Sequence, residues 1–158
     1  MSDSDASVLG GLDEIYRRDY RSLVGLAVLL VDDREIAQEV VQDAFLALHR
    51  AMISGKSPVL NPEGFLRRCV VNGGRDVQRR RAVRRRTMVE PQAPTGFSFA
   101  ELDDVLARLP YKQRAAVVLR YVEDLPEAEI AAALDVRPST VRTLVRRGLA
   151  QLKSQVGE

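Results

Sequence analysis

Six polar side chains crowd the start of the chain's last helical pattern: Arg137, Ser139, Thr140, Arg142, Thr143 and Arg146. A guanidinium offers paired donors that match the O6 and N7 edge of guanine, and a hydroxyl both donates and accepts. Behind them Val141, Leu144, Val145, Leu149 and Leu152 recur at three- and four-residue steps. That spacing puts an apolar stripe on one face of a helix. An apolar back with a front of Arg, Ser and Thr suits the DNA major groove. A solvated surface helix would carry the same arginines, so this helix alone leaves both readings open. The stretch from Glu127 reads as a shorter helix and a tight turn, which makes the pair a helix-turn-helix.

A second set of donors lies upstream, where arginines crowd from Arg67 to Arg86. Arg75, Arg79, Arg80 and Arg81 suit phosphates, and the amide of Asn72 suits a base edge. The competing reading is a solubilising helix end that meets its own dipole. So many arginines so close together favour DNA. Acids dominate the first part instead, among them Glu35, Glu39 and Asp43. This asymmetry implies separate partners for separate surfaces. Chemistry of the catalytic kind has little to work with. His49 and Cys69 are the single imidazole and thiol, on separate predicted helices. No third group orients them, and neither a Gly-rich phosphate loop nor a metal spacing occurs. The chain is read as non-enzymatic, without cofactor or metal.

These groups are carried by an all-α chain of 158 residues, 46% of them apolar but only 5% aromatic, so the core is built mainly from Leu, Val and Ala. Residues 1–11 read as a disordered start. Helices are expected over residues 12–30 and 34–53, with Asp32-Asp33 breaking the first and capping the second. The inward residues are Leu12, Ile15, Tyr16, Leu23, Leu26, Ala27 and Leu30, then Ile36, Val40, Val41, Ala44, Phe45 and Leu48. Asn61-Pro62-Glu63 opens a third helix to near Arg85, with Asn as cap and Pro at the first helical position. Gly73-Gly74 is its weak point, costing about 1 kcal/mol per Gly relative to Ala. It allows a bend or a close approach by another chain. Pro91, Pro94 and Gly96 mark a linker over residues 87–98. Ser98 with Glu101 is a capping box for a helix over 99–109, and another follows over 111–122. The longest apolar run, residues 26–31, is far short of the about 20 residues that span a bilayer. A lone cysteine and the absence of a signal-peptide pattern point to the cytoplasm.

Three stretches together resemble the extracytoplasmic-function (ECF) group of bacterial sigma factors: residues 39–48 (EVVQDAFLAL), residues 61–66 (NPEGFL) continuing through Asn72 and Asp76 to Arg79-Arg80-Arg81, and LARLP at 106–110 followed by residues 127–152. The resemblance implies two small helical domains: a three-helix region-2-like unit over 12–86 and a four-helix region-4-like unit over 99–158. It implies a subunit that binds core RNA polymerase, recognises −35 and −10 promoter elements and promotes promoter opening. Glu39, Gln42, Asp43 and Phe45 match the surface that docks on the clamp helices of the largest subunit, although Phe45 suits the core equally well. Lys56 in the loop 53–60, Phe65, Asn72, Arg75, Asp76, Arg79 and Arg80 match the −10 surface. Arg137, Ser139, Thr140, Arg142, Thr143 and Arg146 match the −35 surface, with Arg147 and Lys153 as phosphate contacts or solvated residues. The implied partners are core polymerase (clamp helices and β flap), promoter DNA both duplex and single-stranded, and an anti-sigma factor, with no membrane insertion.

The sequence departs from that pattern in places. Phe65 and His49 stand where many relatives have Trp. Pro126 and Arg137 stand where Ser caps the two helices of the reading pair, a loss of about 1 kcal/mol each. Asp135 occupies the turn position where Gly is common. The rival reading is a stand-alone helix-turn-helix repressor or activator with residues 12–86 as a ligand or dimer domain, but that half has a basic helix in place of an apolar effector pocket.

Overall fold

A computed structural model describes residues 3–56, 58–87 and 100–156, and the described residues form helices joined by turns. They are α1 (Asp3–Val31), α2 (Arg34–Ser54), α3 (Pro62–Thr87), α4 (Ala100–Ala107), α5 (Tyr111–Tyr121), α6 (Glu127–Leu134) and α7 (Pro138–Val156). The fold is all-α, as the periodicity requires. The helix boundaries follow local chemistry. Asp32 takes the left-handed conformation at φ 58° and ends α1. Asp33 then caps α2, its carboxylate accepting from Ile36 N at 3.1 Å. Asn61 caps α3 by accepting from Gly64 N at 3.0 Å. The linker and the Ser98–Glu101 capping box lie outside the described residues.

The start of the chain differs from expectation. Helix α1 begins at Asp3, so the disordered segment expected through Gly11 is not observed. The half-buried Val8 continues the stripe of Leu12 and Ile15 at four- and three-residue steps, which extends the amphipathic face upstream.

Helices α1, α2 and α3 bury Leu26, Leu30, Val41, Leu48, Leu66 and Val70 completely or nearly so. The C-terminal four bury Leu119, Ile130, Leu134 and Val141. The two sets form one contiguous apolar cluster. The halves are therefore docked on each other, which the linker composition did not announce. Tyr111 Oη donates to Val71 O at 2.6 Å, and Arg114 Nε donates to Leu29 O at 2.5 Å. Arg114 is 3% exposed, the sole charged side chain in the core among the described residues. Val122 is exposed because it lies just past the end of α5.

Gly73 and Gly74 explain themselves in this packing. A Cβ on Gly73 would lie 2.9 Å from Val40 Cγ1, and one on Gly74 would lie 2.5 Å from Tyr111 Oη. The first lets α3 close on α2, and the second lets α5 close on α3. Gly73→Ala is expected to lower the melting temperature even though Ala favours helix by about 1 kcal/mol, because overpacking costs about 1–3 kcal/mol. In a Val40→Ala background the same change should become neutral or stabilising, as a thermal double-mutant cycle would reveal.

Candidate nucleic-acid and polymerase interface

Helix α7 begins without a side-chain acceptor. Arg137 supplies only its carbonyl, which accepts from Thr140 N at 2.9 Å and Val141 N at 3.2 Å. Pro126 likewise gives α6 no side-chain cap, and Glu127 and Glu129 meet the positive end of its dipole. Between the helices Asp135 adopts φ 55°, ψ 49°, and its N–H bonds Ala131 O. Asp tolerates that left-handed backbone better than most residues, so the turn forms without glycine. Val141 is buried beneath α7, while Leu149, expected in the stripe, is 38% exposed.

The opposite side of α7 is open. Arg137, Ser139, Arg142 and Arg146 are exposed, with Thr140 and Thr143 half-buried. Thr143 Oγ1 donates to Ser139 O at 3.3 Å, which leaves its lone pairs outward. Arg142 Nε pairs with Glu127 Oε1 at 3.2 Å. A pair this exposed is worth about 0–1 kcal/mol, so it gives way readily to a base or phosphate. Four of the six predicted reading residues are thus open to solvent, and Thr140 and Thr143 are partly covered. Tyr121 lines a groove with Arg142 and Arg146, and with Val122 it adds exposed apolar surface.

The N-terminal site set divides. Glu39, Gln42 and Asp43 are exposed on α2. Phe45 is 6% exposed and lies edge-on to Tyr16, ring centroids 5.0 Å apart. Phe45 is therefore a core residue, and the aromatic surface at that place belongs to Tyr16, stacked on Tyr20 at 4.7 Å. Tyr16 had been expected inside; its exposure follows from Phe45 occupying the core beneath it.

Helix α3 carries its polar residues on two ridges. Asn72, Asp76 and Arg80 recur at four-residue steps and line a groove against Glu39 and Asp43 of α2. The surfaces matched to polymerase and to the −10 element thus adjoin. Arg79 and Arg80 are exposed, as is Lys56 in the loop, while Phe65 is half-buried against the core. Arg75 is different. Its Nε and one terminal nitrogen are buried without a hydrogen-bond partner. Arg81, a candidate phosphate ligand by sequence, donates instead to Val31 O at 2.5 Å.

Burial pushes the Cys69 thiol up, with Arg68 opposing, so its thiolate is scarcer than that of a free cysteine. Burial likewise raises Glu123, opposed by Arg67, and lifts the Tyr111 phenol well above its usual range. Among the described residues, no group of His, Cys, Asp and Glu is arranged to hold a metal ion. Nor is any described helix long and apolar enough to cross a membrane.

Comparison with known proteins bears on both halves. The family description "Sigma-70 region 2" matches residues 15–85, and "Sigma-70, region 4" matches residues 99–152. ECF RNA polymerase sigma factor SigM of Mycobacterium tuberculosis is 32% identical over 151 residues, 92% of this chain and 76% of the relative. RNA polymerase sigma-E factor of Streptomyces coelicolor is 30% identical over 151 residues, 91% of this chain and 85% of the relative. The fold is shared with CnrH in its complex with the cytosolic domain of CnrY, at TM-score 0.72 and 23% identity, covering 98% of this chain and 95% of that one. Sigma factor RpoE of Bartonella quintana, bound to the anti-sigma factor NepR, matches at TM-score 0.71 and 18% identity, covering 92% and 98%.

The geometry of the turn yields a check of its own. Asp135→Gly should raise stability by up to about 1 kcal/mol, since glycine carries no left-handed penalty, and Asp135→Val should lower it. Denaturant melts of the two variants give both signs.

Proposed function

The chain belongs to the ECF group of the sigma-70 family of RNA polymerase sigma factors, and we propose the division of its surfaces among promoter and polymerase. As a sigma factor it binds core RNA polymerase, recognises −35 and −10 elements and promotes transcription initiation. Helix α7 reads the −35 duplex through Arg137, Ser139, Thr140, Arg142, Thr143 and Arg146. Helix α3 and its preceding loop take the −10 element, with Asn72 at a base edge and Lys56, Arg75, Arg79 and Arg80 along the opened strand. Opening a duplex without ATP requires capture of unstacked bases and of the freed backbone.

The observation that carries this reading is the presence of two separate donor-bearing helices on one chain, one basic and hydroxyl-rich and one bearing an amide among arginines. Glu39, Gln42 and Asp43, beside the exposed Tyr16, suit a basic docking partner with an apolar anchor, which is the role given to the clamp helices. The exposed Tyr121, Val122 and Leu149 suit the β flap. The two fold relatives carry bound partner proteins, one of them an anti-sigma factor, and an inhibitor of that kind is the expected regulator here. The work is done in the cytoplasm, without cofactor and without turnover chemistry. A stand-alone helix-turn-helix regulator would have no use for the α2 docking face.

Core polymerase supplemented with this protein should start transcription at promoters whose −35 preference changes when Arg142 or Arg146 becomes Ala, each losing about 1–3 kcal/mol of discrimination at one base pair. Sequencing of transcript starts reads this out. Unaltered −35 preference in both variants would remove α7 from the reading role.

A further inference from the structure

One ion pair joins the two helices of the C-terminal pair. Glu127 is the first residue of α6, and its Oε1 lies 3.2 Å from Nε of Arg142 on α7. The glutamate side chain is 38% exposed and the arginine side chain 71%. The acid is therefore the fixed partner and the arginine the movable one. Partial cover holds Glu127, and so does its place in the first turn of α6, where the helix dipole favours an anion. Arg142 is long and open to solvent, so placing its guanidinium on a base costs conformational entropy. Both residues line one groove with Arg146, over the buried Ile130 and Val141.

The identity of the contacting nitrogen decides what the pair leaves available. Contact through Nε leaves the two terminal nitrogens for an outside acceptor. Guanine takes two parallel donors at O6 and N7, so it can be read while the pair persists. A phosphate competes for Nε as well as for the terminal nitrogens, and the carboxylate beside it opposes that approach. In the free chain, water screens the pair. DNA laid over the groove displaces that water and strengthens the attraction between the two groups.

We propose that Glu127 is a positioning residue for −35 recognition: it holds Arg142 by Nε so that the terminal fork meets a guanine edge, and it keeps that guanidinium off the phosphates. This rests on the reading of α7 as the −35 helix. Glu127 acts through Arg142 and need contact no base. It turns a flexible basic side chain, suited to any phosphate, into a base-specific one. Helix α6 thereby takes part in specificity as well as in support.

Holoenzyme made from core polymerase and each variant is tested on a promoter library randomised across the −35 element, with transcripts counted for every sequence. Arg142→Ala marks the position that Arg142 reads, and Arg146→Ala marks a second. Glu127→Ala should relax the first position by about tenfold and leave the second unchanged. Glu127→Gln keeps an acceptor oxygen at the same reach and should retain most of the preference. Combining Glu127→Ala with Arg142→Ala should relax the first position no further than Arg142→Ala alone. On a duplex with the wrong base at that position, Glu127→Ala holoenzyme should bind more tightly than the parent. Its slope of log affinity against log salt should be steeper by about 0.9, because the freed guanidinium finds a phosphate. Adding Arg142→Ala should remove that extra slope. Loss of preference at both positions in Glu127→Ala would make Glu127 a structural residue and overturn the proposal. Parental preference in Glu127→Ala, additive effects in the double variant, or a Glu127→Gln no better than Glu127→Ala would do the same. Relaxation by Arg146→Ala without any by Arg142→Ala would overturn the proposal and leave α7 as the reader. No relaxation by either arginine change would overturn the proposal together with the reading role of α7.

Discussion

The last turn of α1 ends in four carbonyls that no further helix can satisfy, and the molecule is tied together by the groups that reach them. Asp32 N donates to Val28 O at 2.8 Å, Arg114 to Leu29 O at 2.5 Å, Gln78 to Leu30 O at 3.1 Å and Arg81 to Val31 O at 2.5 Å. Helix α1 has no basic residue in its own last turn, so the negative end of its dipole is met by guanidiniums from elsewhere. Each buried carbonyl left unpaired would cost about 1–3 kcal/mol. Two of the donors come from α3 and one from α5. One helix end thereby fixes how the N-terminal bundle closes and where the C-terminal half rests on it.

That constraint sorts the arginines. Arg81 and Arg114 serve the fold, Arg79 and Arg80 face solvent, and Arg75 has two guanidinium nitrogens buried without a hydrogen-bond partner. Sequence reasoning treated Arg79, Arg80 and Arg81 alike because residue type cannot separate neighbours on a helix. Rotation does. Arg81 continues the inward row of Val70 and Val77 at seven- and four-residue steps, a signal present in the sequence but overridden by its charge. Arg114 was hidden for the same reason, since it sits three residues past Tyr111 on the buried side of α5. The caps Asp33 and Asn61 were legible because short acceptors before an apolar stripe have one good use. The left-handed Asp135 was legible because few residues accept that backbone. Docking of the halves was not legible, because it depends on which of two composition-neutral events a Gly-Gly pair serves, a bend or a close approach.

The polar face of α7 was the most legible part of the candidate site, because its apolar stripe fixes by period which side chains are outward. The surface of α2 matched to polymerase was less so. Phe45 satisfied both the core pattern and the anchor pattern, and the packing of Tyr16 over it decides for the core. Electrostatics then give the N-terminal half two adjoining but unlike faces, acidic along α2 and basic along α3, so protein and nucleic acid need not compete for one patch.

The central claim is that one chain holds the −35 and −10 elements at once through α7 and α3, which its docked halves can do only by parting. The direct measurement is the distance between a label on α3 at Arg84 and one on α7 at Lys153, in a Cys69→Ser background, by pulsed spin-label spectroscopy. The account predicts a single short distance in the free protein and an increase of tens of ångströms when core polymerase and promoter DNA are bound, toward the about 85 Å that separates the elements. A distance that stays the same in the promoter complex would contradict it.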